Sequence, residues 1–180
     1  MTNSARSITA PLFLETIMSL RAGNEVLLSG VVYTARDAAH KRMYDLIAAG
    51  GRDGLPFEFE GAAVYYAGPS PTPPGRIIGA IGPTTSGRMD AYSPLLIKNG
   101  LRVMIGKGIR GREVMEAIAE YKGIYFAALG GAAALMARAV KSAELIAFED
   151  LGAEAVRRLC VEDMPLVVAA DCYGGCVYGP

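Results

Sequence analysis

The chain has 180 residues, with 18 Lys or Arg against 18 Asp or Glu, so its formal net charge is zero. That length suits one domain spanning 1–180 with a core of its own. Balanced charge without a block of one sign gives neither the basic footprint of a nucleic-acid binder nor a membrane-surface helix. Mean hydropathy is positive, yet no apolar run approaches the roughly 18 residues of a spanning helix, and the N-terminus has no apolar signal core. The expectation is a soluble, cytoplasmic protein, and an apolar surplus of this kind is also what an obligate subunit interface adds.

In chain order, residues 1–7 read as a flexible arm, and 9–22 as a lead into a short helix stopped by Gly23. Residues 25–33 are β-branched and apolar, as in a buried strand, and Gly30 marks a bulge or a close backbone approach. Thr34 is the expected N-cap of the next helix, with Asp37 in its first turn and Gly50-Gly51 as its stop. On that helix Ala39, Met43, Leu46 and Ile47 share one face, which leaves Arg36 at the N-terminal mouth and His40 one turn further on.

Residues 57–67 alternate in part and predict a strand broken at Gly61, followed by a stiff proline-rich loop over 68–75. A strand over 77–82, a loop and a helix over 91–97 come next, the helix stopping at Asn99-Gly100. Then follow a strand at 101–105, a helix at 112–121, a strand at 123–129, a glycine corner at Gly130-Gly131 and a small-residue helix at 132–139. Strands at 143–148, 155–161 and 166–170 complete the chain, so strand and helix alternate as in an α/β domain with a mixed sheet. The three cysteines, Cys160, Cys172 and Cys176, cannot all pair, which suits a reducing compartment. Cys160 lies in a strand-like run with no histidine nearby, so the three read as structural thiols rather than metal ligands.

The densest chemistry lies in Gly82-Pro83-Thr84-Thr85-Ser86-Gly87-Arg88-Met89-Asp90. At a strand-to-helix corner the first N–H groups of the helix lack internal partners and attract an anion, and Arg88 adds a planar, two-pronged donor. The plainer alternative is that Thr84, Thr85 or Ser86 caps the helix and Arg88 is solvated. Arg36 stands at a second corner of the same kind, where an exposed arginine is the competing reading. Lys107, between Gly106 and Gly108, follows a strand and could approach a ligand closely or simply occupy a turn. His40, the single histidine, is either an acid or base, or a satisfied structural imidazole.

The nonapeptide resembles the signature of the class I fumarase and L-tartrate dehydratase family, in the β subunit or C-terminal half of those iron-sulfur hydro-lyases. Val31-Val32-Tyr33-Thr34-Ala35-Arg36-Asp37-Ala38-Ala39-His40-Lys41-Arg42, Ile105-Gly106-Lys107-Gly108 and Leu129-Gly130-Gly131-Ala132-Ala133-Ala134 are similar to three further family blocks in the same order. The one departure is Ala132, where the family commonly has proline. The resemblance implies a swivelling β/β/α-type domain and the reversible dehydration of a 2-hydroxydicarboxylate, malate to fumarate or L-tartrate to oxaloacetate. It further implies Thr84 as the proton-abstracting residue, Arg36, Arg88, Lys107 and Thr85 as substrate ligands, and His40 and Asp90 in secondary roles.

A hydroxide leaving group needs a Lewis acid. The resemblance implies a 4Fe-4S cluster for that purpose, ligated by a partner α subunit and not by this chain, in a hetero-oligomer of αβ or α2β2 form. Two other classes compete: a non-catalytic anion-binding or regulatory module, and a self-sufficient enzyme for phosphorylated substrates. No Walker-type loop supports the last.

Overall fold

A computed structural model describes residues 5–128 and 133–179. Its strands are β1 (Arg6–Ala10), β2 (Glu25–Thr34), β3 (Ala63–Tyr65), β4 (Val103–Gly106), β5 (Ile124–Ala128), β6 (Val140–Ala147) and β7 (Val156–Ala170). The α-helices are α1 (Leu14–Ser19), α2 (Asp37–Ala48), α3 (Ser93–Lys98), α4 (Arg112–Glu120) and α5 (Ala133–Ala139), with 3₁₀ turns at Ser86–Met89 and Glu149–Glu154. The expected α/β domain with a mixed sheet is what forms. Arg6 and Ser7, the end of the expected flexible arm, belong to β1.

β1 to β5 pair in parallel in chain order, and β7 runs antiparallel to β2, β5 and β6. Because β7 joins both β2 and β5, the ladder β2-β3-β4-β5-β7 returns to its start. One edge of β2 serves β1 over Val26 to Gly30 and then β3 over Val32 to Thr34. The handover falls at Gly30, where a Cβ would lie 2.3 Å from the Ala10 carbonyl oxygen and φ is +104°. Only glycine fits so close an approach in that backbone region.

Strand alternation sends neighbouring residues to two cores. Tyr65, Ile105 and Phe126 join Leu28, Leu159 and Val168 in one, which α1 and α5 cover with Ile17 and Met136. Val64, Tyr66, Met104 and Tyr125 face the other, built with Ala39 and Met43 of α2, Leu96 of α3 and Val114 and Ile118 of α4. Both faces are covered, which is why the short parallel strands are apolar at consecutive positions.

Several boundaries differ from expectation. Thr34 does not cap α2; it ends β2, and its hydroxyl accepts the Arg157 N–H at 3.1 Å, so Arg36 takes the N-cap position. Residues 77–82 are not a strand: both edges of β3 are already taken by β2 and β4, and the segment pairs with no other strand. Ile78 and Ile81 are buried all the same, and the backbone groups find other partners: Ile81 N–H donates to Ala133 O, Tyr65 Oη to Ile81 O and Ser70 N–H to Ala80 O. Only Ala63–Tyr65 of the run 57–67 is strand. The helix expected over 91–97 forms as α3, Ser93–Lys98, with proline in its first turn, and the signature loop before it contains the 3₁₀ turn. The two last expected strands are one, β7, which carries Asp163 at φ +49° through its length. The glycine corner at Gly130-Gly131 lies outside the described residues.

Candidate active site

Register places the finishing ends of the parallel strands side by side: Thr34 beside Tyr65, Tyr65 beside Ile105 and Gly106 beside Ala127. The chain leaving this edge carries Arg36 after β2 and Lys107 after β4. Ligands of α/β sheets gather at such an edge.

The signature loop is wedged into that edge. Thr84 N–H donates to Tyr66 O at 2.6 Å, and Ser86 N–H donates to Lys107 O at 2.8 Å, so residues 84–86 bridge the gap where β3 and β4 part. Thr85 and Lys107 are thereby paired in parallel, backbone to backbone. Ser86 is fully buried, and its hydroxyl does not cap a helix; it lies 2.9 Å from the Tyr125 hydroxyl, which itself donates to Gly108 O at 2.8 Å. Since the phenol proton is committed to Gly108, the serine is the donor to the phenol. Burial pushes the Tyr125 hydroxyl well above its ordinary value, so it stays protonated and holds both loops.

Two cations, Arg88 and Lys107, lie on these loops, and a third, Arg36, stands at the start of α2. Arg88 is ion-paired with Asp37 in the first turn of α2 and is about half exposed. Arg36 is mostly covered; its Nη2 lies 3.4 Å from Glu154 Oε1, and its Cδ would be 3.2 Å from a Cβ on Gly68. Lys107 is exposed and makes no ion pair among the described residues. Thr84 is half-buried and Thr85 exposed. Thus Thr84, Thr85, Arg88 and Lys107 meet in one pair of loops, and the Asp37 contact ties them to the helix that follows Arg36.

His40 and Asp90 sit behind this surface. The imidazole is buried, its Nδ1–H donates to Arg36 O at 3.0 Å, and its ring meets Tyr66 edge-on. Burial above all, with the Arg110 charge adding to it, lowers its pKa to about 4 against the pull of the Arg36 carbonyl, so the ring is neutral. Asp90 accepts from Arg110 Nε at 2.7 Å and from the Gly111 N–H that begins α4. Arg110 is itself buried, reaching Ser93 Oγ at 2.8 Å and standing over the Tyr66 and Tyr125 rings. Each thus has a backbone partner, Arg36 O for His40 and the Gly111 N–H for Asp90.

Sequence reasoning offered Ser86 only as a helix cap and missed Tyr125, Arg110 and Glu154. A serine within a hydroxyl-rich loop followed by glycine offered a weak signal for the first; the others are brought in by pairing of distant segments and had none.

Among the described residues no group of three or more His, Cys, Asp or Glu could hold a metal ion. Cys160 is exposed on β7, Cys172 is buried, and Cys176 pairs with Ala170, which lies against Tyr125 near the start of β5. These thiols do not fit as ligands of an iron-sulfur cluster at the site. No helix among the described residues is long and apolar enough to cross a membrane.

A family model described as the fumarase C-terminus matches residues 3–179. The chain belongs to the fumarase C-terminus family. It is 37% identical over 158 residues to fumarate hydratase 2 of Leishmania major, covering 87% of this chain and 28% of that protein. It is 40% identical over 146 residues to the anaerobic class I fumarate hydratase of Escherichia coli (strain K12), covering 80% and 26%. The fumarase C-terminus chain thus spans about a quarter of the length of these relatives. It is also 36% identical over 168 residues to a Methanocaldococcus jannaschii protein provisionally named L(+)-tartrate dehydratase subunit beta, covering 90% and 85%. The family is one of hydro-lyases, and the signature loop, the Arg36 block and the Lys107 loop fall within the match.

Proposed function

We propose that this chain is the carboxylate-anchoring subunit of a hydro-lyase acting on a 2-hydroxydicarboxylate, malate with fumarate or L-tartrate with oxaloacetate. The observation that carries the reading is the backbone pairing of Thr85 with Lys107, which joins two cation-bearing loops beside Arg88 at the finishing edge of the parallel strands. Arg36 and Arg88 present planar forks that suit carboxylates, and Lys107 adds a mobile point charge. Thr84 accepts the proton from the carbon next to a carboxylate. A threonine hydroxyl is a weak base, and neighbouring cations favour its ionised form.

Release of hydroxide falls to the other part of the enzyme. A 4Fe-4S cluster suits that part, since no group of three or more His, Cys, Asp or Glu among the described residues of this chain could hold a metal ion. The relatives are of two kinds, long proteins of which this chain matches about a quarter and one named as a subunit beta. The long relatives support a further part of the enzyme beyond this chain and the subunit name supports a separate α partner; an αβ or α2β2 assembly is our proposal.

The test is anaerobic co-production with a cluster-binding α chain, followed by assays with fumarate and L-tartrate. Wild type turns over one of them, and Thr84→Val assembles normally but turns over roughly 10²–10⁴-fold more slowly. Near wild-type turnover in that variant removes Thr84 from the role, and turnover by the isolated chain in air removes the need for a partner.

A further inference from the structure

The turn Glu149–Glu154 joins β6 to β7, outside the family blocks and far in sequence from Arg36, yet it ends against that residue. We propose that Glu154 is the positioning residue of Arg36, fixing the direction in which its guanidinium meets a substrate carboxylate. This rests on the reading of Arg36 as a carboxylate ligand.

Glu154 makes two contacts at once. Oε2 accepts the Ala38 N–H at 3.0 Å, satisfying one of the unpartnered donors that begin α2, and Oε1 lies 3.4 Å from Arg36 Nη2. The carboxylate is therefore anchored to the helix that Arg36 precedes, rather than floating at the end of a free side chain. Gly68 also bounds the arginine: a Cβ there would stand 3.2 Å from Cδ and 3.3 Å from Nη1. A flexible four-bond side chain is thus confined by two neighbours, and a guanidinium binds a carboxylate well only when its plane is correctly aimed.

The turn is itself held in place. Arg42 of α2 is paired with Asp150 and stands over the Phe148 ring at 5.2 Å. Arg157 donates to Gly152 O and Ala155 O, each at 3.2 Å. A Cβ on Gly68 would fall 2.7 Å from Ala153 O, so the glycine allows the proline-rich loop to lie directly on the turn. These contacts make the turn a fixed wall for Arg36.

Two measurements test the proposal. Side-chain ¹⁵N NMR of the chain is expected to resolve the Arg36 Nη protons in wild type and to show them averaged by rotation in Glu154→Ala. In the enzyme co-produced with its α partner, Glu154→Ala is expected to raise KM for the dicarboxylate about tenfold with kcat within about twofold, as loss of uniform binding requires. Glu154→Gln retains an acceptor for Ala38 but no charge for Arg36, and raises KM by about threefold; were Glu154 only a helix cap, that variant would match wild type. In an Arg36→Ala background Glu154→Ala adds nothing further. An unchanged or lowered KM, or identical Arg36 resonances in wild type and Glu154→Ala, overturns the proposal. If wild type turns over no dicarboxylate, the hydro-lyase reading fails and the resonances alone decide the positioning role.

Discussion

Asp37 in the first turn of α2 is ion-paired with Arg88 of the signature loop, which joins two blocks that the sequence keeps far apart. Both groups are partly exposed, so the pair orients more than it stabilises. Asp37→Asn is expected to lower unfolding stability by no more than about 1 kcal/mol, measured by urea titration. At about 1 M salt the difference should shrink further, because charges are then screened over about 3 Å.

Arg88→Lys keeps the charge and removes the planar fork. An ammonium cannot reproduce two parallel N–H···O bonds to a carboxylate. KM for the dicarboxylate should rise by about tenfold or more in the assembled enzyme, while assembly is unchanged. An unaltered KM would take Arg88 out of the clamp.

Asp90→Asn should cost far more in stability than either. Arg110 is almost wholly buried, with its Nε on Asp90, so the substitution leaves a buried cation without its countercharge. Such losses amount to about 3–5 kcal/mol, and a denaturant midpoint shift of corresponding size is expected.

Gly106→Ala tests the wedge between β3 and β4. The added methyl would stand 2.0 Å from Ser86 Oγ and 2.9 Å from Tyr66 Cδ2, so Ser86 must leave the Tyr125 hydroxyl. Overpacking of this kind costs about 1–3 kcal/mol. Calorimetry should show the loss, and a second change, Ser86→Gly, should recover part of it.

His40 supplies a pH dependence with a fixed sign. Its pKa is lowered from 6.5 to about 4 in the folded chain, mainly by burial. The unfolded chain therefore binds the proton first as pH falls. The stabilisation is complete above pH 6.5 and is lost progressively down to about pH 4, a difference of about 3 kcal/mol for this one group. Unfolding free energies measured between pH 7 and pH 4 should fall more steeply for wild type than for His40→Gln.

The elements legible beforehand are those whose apolar pattern is self-sufficient. The run Glu25–Thr34 needs two covered faces wherever it lies, and Arg112–Glu120 presents Val114, Ala117 and Ile118 on one buried face. The signature loop and the Lys107 loop were likewise visible, because glycine, hydroxyl and cation stand together in the chain. Their pairing through Thr85 was not visible, since a backbone bridge leaves no mark on side-chain pattern.

The sequence by itself determined which groups were available: three cations, a threonine and an alternation of apolar runs long enough for an α/β sheet. Tertiary structure decided which of them face outward together. Residues 77–82 have the composition of a strand but join no ladder, Asp90 is engaged by Arg110 and the Gly111 N–H and His40 by the Arg36 carbonyl, and Glu154 is delivered to Arg36 by a distant turn. The reason is physical: hydrogen-bonding edges and buried charges must find partners somewhere, and only the folded chain settles which segments are near enough to provide them.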